Sequence, residues 1–210
     1  MNRDSEISLE ATDRRSRKRE EKRQTIIAAA ERIFHEKDLS HISMEEIARE
    51  ADVAAGTLYN YFPGKEALFL EVFVNKLTPL FDEALAEWES DAPFKEKLRL
   101  VVNLHMSFIH SHKGFYEFLM TLGQPDFTAP GPFTGLVELC EGYLTRQTRA
   151  FERAQKSGEI SNTLSPKFLA RALRSLCWGM ATEAVNRRKT QDLDSEVEPI
   201  LELFWKGITQ

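Results

Sequence analysis

The sequence predicts an all-α chain of about nine helices. Apolar residues recur at three- and four-residue spacing along most of its length. No stretch alternates apolar and polar residues as a half-buried strand would. Short segments rich in Gly, Pro, Asp and Asn punctuate the helical patterns. At 210 residues and 42% hydrophobic, the chain can bury a substantial core in one large or two modest domains.

Residues 1–13 are polar and aperiodic and are expected to be disordered, with 1–16 forming a basic tail. From about Arg17 to Lys37, Ile26, Ile27, Ala30, Ile33 and Phe34 fall at helical spacing. Ser43 then stands before Met44 with Glu46 three residues on, a capping-box pattern that starts a helix. Ile47, Ala48 and Ala51 supply its buried face. Asp52 breaks the pattern and suits a left-handed turn, with Val53 plugging the angle. A second short helix is expected over about Ala55–Tyr61, ended by Pro63-Gly64.

A long amphipathic helix follows from Lys65 to about Ser90, carrying Leu68, Phe69, Val72, Phe73, Leu77, Leu80, Phe81, Leu85 and Trp88. Pro79 should kink it. Further helices are expected at about 94–112, 113–123, 134–157, 165–188 and 195–208. Between them lie "GQPDFTAPGPF", "KSGEISNTLSP" and "KTQDLD".

Charge is unevenly placed. The net charge is −5, yet "RRSRKREEKR", Arg14–Arg23, carries seven basic and two acidic residues. Residues 66–210 carry a net −4, so a polyanion should be met at the N-terminal end. Taken alone, that stretch reads as a solvated basic tail. Two cysteines, Cys140 and Cys177, sit in apolar patterns and cannot form a disulfide framework. No window has the ~18 apolar residues of a membrane span, and the charged N-terminus lacks the apolar core of a secretory signal. A cytoplasmic protein is expected.

Two short helices joined by a tight turn have the spacing of a helix-turn-helix. Ala48 permits close approach of the two, and Val53 and Leu58 bury the inner side. Ala55, Gly56, Thr57, Tyr59, Asn60 and Tyr61 remain for the outer side and ends of the second helix. Small residues let a backbone approach base edges, hydroxyls and Lys65 suit phosphates, and Asn60 suits adenine. A thymine methyl could pack on Ala55 or Thr57.

"ISMEEIAREADVAAGTLYNYFPGKEALF" resembles the N-terminal domain of TetR-family transcriptional regulators. The likeness is residue by residue over about 20–80 and architectural beyond. It implies a DNA-binding domain over 17–64, with the motif at about 44–63, and a ligand-binding and dimerisation domain over 65–210. It further implies that Thr57, Tyr59 and Tyr61 contact phosphates or bases. Lys65 matches a phosphate-holding lysine, Ser43 a hydroxyl cap facing the DNA backbone, and Glu45 a base-reading position in some members. Asp38 and Asp52 replace the usual glycines. Ala54-Ala55 replaces longer polar residues, which implies modest base readout and more reliance on DNA shape.

Phenylalanines gather in the middle of the chain at Phe108, Phe115, Phe118, Phe127 and Phe133. His105 shares a face with Val101 and Phe108. Cys140, Tyr143 and Gln147 share another face. Individually these are ordinary core residues. With the resemblance, His105, Phe108, Phe118, Cys140, Tyr143, Gln147 and Trp178 become candidates to line a pocket for a small, largely apolar molecule. His105, His110 and His112 lack a carboxylate at ligand spacing, so no metal is expected. No nucleophile–base grouping or phosphate loop stands out, so neither catalysis nor a cofactor is expected.

One such motif reads only a few base pairs, so a homodimer on two half-sites is expected. The last two helices, about 165–188 and 195–208, are its candidate seam, through "FLARALRSLCWGMATEAV" and the stripe Val197, Ile200, Leu201, Phe204, Ile208. The expectation is a ligand-responsive DNA-binding regulator, a repressor released from its operator when the ligand binds. The alternative is an all-α small-molecule-binding protein whose helix-turn-helix is vestigial.

Overall fold

Helix α1 runs from Arg3 to Glu36 in the computed structural model, which describes residues 3–37, 41–122, 131, 133–186 and 193–209. Its second half is anchored by buried Ile26, Ile27, Ala29, Ala30, Ile33 and Phe34. Its first half is helical from Arg3, where a disordered tail was expected over 1–16. That half is rich in straight-chain residues, which lose little rotamer freedom in a helix. Polar pairs one turn apart lie at the middle of the helix: Arg17 with Glu21 at 3.6 Å, and Gln24 Nε2 donating to Glu20 Oε1 at 2.7 Å. Such pairs extend a helix that the packed half has already nucleated.

Three helices follow: α2 (Met44–Glu50), α3 (Ala55–Tyr61) and α4 (Lys65–Glu89). Ser43 is in extended backbone and caps α2, its Oγ accepting from Glu46 N at 3.2 Å. The Glu46 carboxylate, expected to reach back to the cap, is bound by the Lys37 ammonium. That hydrogen bond holds its pKa below the usual carboxylate range. Asp52 adopts φ 51°, the single non-glycine residue with positive φ among those described. Val53 N then donates to Ala48 O at 2.9 Å, closing the turn.

The chain divides into two units, Met1–Val72 and Phe73–Gln210, with the division inside α4. The core of the first gathers Ile47, Ala48, Leu58, Phe62, Leu68 and Phe69, with the Phe34 and Phe69 rings 6.1 Å apart. Pro79 lies within α4, exposed to solvent.

The second unit continues with α5 (Phe94–Ser111), α6 (Lys113–Thr121), α7 (Thr134–Ser157), α8 (Pro166–Asn186) and α9 (Leu193–Thr209). Helix α8 packs on α5, α6 and α7, and α9 packs on α5. Phe94 N, at the start of α5, donates to Glu159 Oε2 at 2.8 Å, so a carboxylate from beyond α7 caps that helix. Gly158 ends α7 at φ 79°, a left-handed cap open to glycine without strain. Asp38, Phe127, most of the expected loop over 123–133 and most of the "KTQDLD" linker lie outside the described residues.

The stripe on α9, expected at a dimer seam, faces inward. Val197, Ile200, Leu201, Phe204 and Ile208 are all buried within the protomer, and Phe204 meets Phe151 at 6.1 Å. Trp205 is half-buried with the Lys95 ammonium 5.4 Å from its ring centroid. The stripe is therefore covered by its own chain. The large apolar residues left exposed on the last two helices are Phe168 and Trp178 on α8 and Leu203 on α9.

Candidate nucleic-acid interface and ligand-binding interior

Helix α3 buries one residue, Leu58, with no exposed surface. One anchored residue in seven leaves the rest of the helix as surface. Gly56, Tyr59 and Asn60 are exposed, and Ala55, Thr57 and Tyr61 are half-buried around them. Tyr59 is 46% exposed, so its ring belongs to the surface and not to the core. At the neighbouring helix starts, Ser43 and Glu45 are exposed and Lys65 is half-buried. Every residue expected to face DNA therefore keeps solvent access.

Two further features belong to this surface. A Cβ added at Gly56 would meet nothing within 4 Å, and Gly56 has no positive φ. The fold itself thus gives no reason for glycine there, although glycine disfavours a helix by up to ~1 kcal/mol relative to alanine. The Arg19 guanidinium lies 5.9 Å from the Tyr61 ring centroid, and Arg23 lies 5.3 Å from that of Phe62. Sequence inspection missed the Arg19–Tyr61 pairing, because 42 residues separate the two and no local pattern joins them.

In the second unit, an aromatic interior forms between α4, α5, α6 and α7. Phe81 stacks on Tyr143 with centroids 4.3 Å apart, and His105 lies 6.0 Å from Phe81 and 5.6 Å from Tyr143. Trp88 Nε1 donates to the Tyr143 hydroxyl at 3.2 Å. Phe73 stacks on Phe115 and meets Tyr116 edge-on at 5.5 Å. Phe108 meets His112 at 4.1 Å and Phe73 at 6.4 Å. Thus His105, Phe108 and Tyr143 join this interior. Phe118 and Cys140 are half-buried. Trp178 is 46% exposed, its ring 6.0 Å from Tyr116, so it sits at the outer edge.

The interior favours neutral groups. Burial pushes the Cys140 thiol to about 11 and the Cys177 thiol to about 12, and raises Tyr116 and Tyr143. Burial also lowers the pKa of His105, opposed by the bond between its Nδ1 and Val101 O at 2.7 Å. Against this background Gln147 stands out. It is 2% exposed, and among the described residues its Oε1 accepts no hydrogen bond. It occupies α7 one turn after Tyr143 and one turn before Phe151, both of which touch Trp88. Sequence periodicity placed Phe81 and Trp88 on the apolar face of the long helix and did not single out Tyr116; only their contacts bring the three to the candidate residues.

Among the described residues no group of three or more His, Cys, Asp or Glu could hold a metal, and no helix is long and apolar enough to cross a membrane. A short helix standing on one buried leucine, joined to its neighbour by a left-handed turn and carrying an open polar face, defines a helix-turn-helix DNA-binding transcriptional regulator. The family model described as "Bacterial regulatory proteins, tetR family" matches residues 26–72. The fatty acid metabolism regulator protein of Bacillus subtilis is 28% identical over 87% of this chain and 93% of its own length. Among solved structures, the B. subtilis transcriptional regulator FadR in complex with stearoyl-CoA superposes with TM-score 0.70 at 25% identity, covering 88% of this chain and 98% of that one. The fold is also that of Thermus thermophilus FadR, a TetR-family repressor, at TM-score 0.69 and 23% identity, covering 88% and 94%. Residues 26–72 thus match the DNA-binding part of the tetR family of bacterial regulatory proteins, and similarity to transcriptional regulators extends over most of the chain.

Proposed function

We propose that the chain is a homodimeric repressor that sets α3 into the major groove at each of two half-sites and releases DNA when an acyl thioester binds its second unit. The observation that carries the DNA contact is Gly56: an exposed glycine that the fold does not require makes sense where another molecule's backbone must come close. Thr57, Tyr59, Tyr61 and Lys65 then hold phosphates, Ser43 offers the amides of a helix start, and Glu45, Ala55 and Asn60 face bases.

Two findings support the ligand. The B. subtilis FadR structure holds stearoyl-CoA, and the similarity spans most of both chains. The interior here is aromatic, keeps its titratable groups neutral and leaves one amide oxygen unpaired. His105, Phe108, Phe118, Cys140 and Tyr143 would face the acyl chain, and Gln147 a polar group of the ligand. Because α4 belongs to both units, displacing its C-terminal part would move residues 65–72 and change how two heads match successive grooves. A coupling of ~1–3 kcal/mol would suffice for that response. Exposed Phe168, Trp178 and Leu203 supply the dimer seam in place of the α9 stripe.

Selecting bound fragments from genomic DNA tests the reading, since it requires enriched sites with two half-sites about one helical turn apart. A lack of enrichment would leave a small-molecule-binding protein with a vestigial motif. On a recovered site, Gly56→Ala should raise thermal stability by up to ~1 kcal/mol while weakening operator binding. Unchanged affinity would remove Gly56 from the interface. Lys65→Ala and Tyr61→Phe should weaken binding to all sequences, with each lost phosphate contact flattening the salt dependence by about one unit. An unaltered slope takes those residues off the phosphate list.

A further inference from the structure

The first half of α1 carries a second charged surface that the helix-turn-helix does not use. At 3.6 residues per turn, Arg14, Lys18 and Lys22 form one row along α1, and Arg15, Arg19 and Arg23 form the row beside it. Asp13, Arg17, Glu20 and Glu21 share the other side of the helix, where Arg17 pairs with Glu21. Apart from Arg17, the two signs are thus separated across one helix instead of alternating along it. That arrangement has a local cost. Like charges one turn apart disfavour a helix by roughly 0.2–0.5 kcal/mol per pair, and each row contains two such pairs. Residues 13–22 are exposed, so the rows face solvent.

The rows start beside α3. Arg19 lies over Tyr61, the last residue of α3, and Arg23 is fixed by Glu71 at 2.9 Å and by the Phe62 ring. From Arg19, α1 runs on toward Arg14 for more than another turn. We propose that this basic face of α1, carried by Arg14, Arg15, Lys18 and Lys22, is a second DNA contact: a helical arm that lies on the phosphodiester backbone flanking each major-groove site. The occupant follows from charge complementarity. B-DNA presents one negative charge per ~1.7 Å of axis, and a rigid basic row matches that density without reading sequence. The arm would make sequence-independent affinity separable from the readout by α3. The inference rests on the DNA-binding reading above.

The test compares the full chain with the variant R14A/R15A/K18A/K22A on an operator recovered by selection. Alanine is the strongest helix former, so α1 should persist, which circular dichroism can check. None of the four residues makes the Arg19–Tyr61 or Arg23–Glu71 contact. The variant should lose affinity for operator and random DNA alike, and its salt dependence should flatten by about one unit per contact removed. Its hydroxyl-radical footprint should shrink at the outer edge of each half-site while protection over the major-groove positions remains. An unchanged slope and footprint overturn the arm and leave the α3 reading standing. A wild-type chain that protects no site would instead sink the DNA-binding reading, and the arm with it.

Discussion

Leu58→Ala is expected to destabilise the first unit by about 2–5 kcal/mol and to abolish operator binding. Leu58 is the one buried residue of α3, fully shielded from solvent, and a seven-residue helix has little stability of its own in water. Removing its side chain leaves a cavity and frees α3 from α2 and α1. The amides that close α3, such as Phe62 N to Leu58 O at 3.0 Å, should then exchange hydrogen far faster. Hydrogen exchange over residues 55–62, set beside the exchange of residues in the second unit, measures this directly. Native-like protection of α3 in the variant would show that something other than Leu58 holds the helix.

Gln147→Leu should act in two opposite directions. Leucine has nearly the same shape and no polar atom to satisfy. A buried oxygen without a partner costs ~1–3 kcal/mol, so the variant should melt higher by roughly 2–12 °C. The same change should remove the polar anchor for the ligand. In wild type, stearoyl-CoA at a hundredfold excess over its dissociation constant should add about 2.7 kcal/mol of stability. The variant should lose most of that gain, and its operator complex should resist release by stearoyl-CoA. A lower melting temperature would mean that the Gln147 amide is satisfied in the protein as it stands. A full response to stearoyl-CoA would mean that the ligand does not use Gln147.

These two residues differ in how far their roles could be read in advance. Leu58 was legible as an anchor because the motif is local: Ser43, Asp52, Leu58 and Pro63 act on backbone within a few residues of themselves. Gln147 was legible as facing inward, from its spacing with Tyr143, but not as lacking a partner. That depends on which groups α4 and α5 bring near it. The head's helix boundaries follow the same division. The start and end of α3 agree with the residue pattern, whereas the N-terminal reach of α1 does not. Helix extension there depends on charge pairs and on a nucleus formed by packing, and an apolar pattern carries neither.

The sequence by itself determined the helical class, the helix-turn-helix and its exposed polar face, because caps, turn backbone and helical period are set over short distances along the chain. Tertiary structure alone decided which apolar stripes are covered. It placed the aromatic stripe of α9 in the protomer core, left Phe168, Trp178 and Leu203 outside, and set Arg19 on Tyr61. A helix can carry more than one apolar stripe, and its own residues do not say which one a distant helix will meet. That choice is made by the packing of the whole unit, where burying one face leaves another to solvent or to a partner.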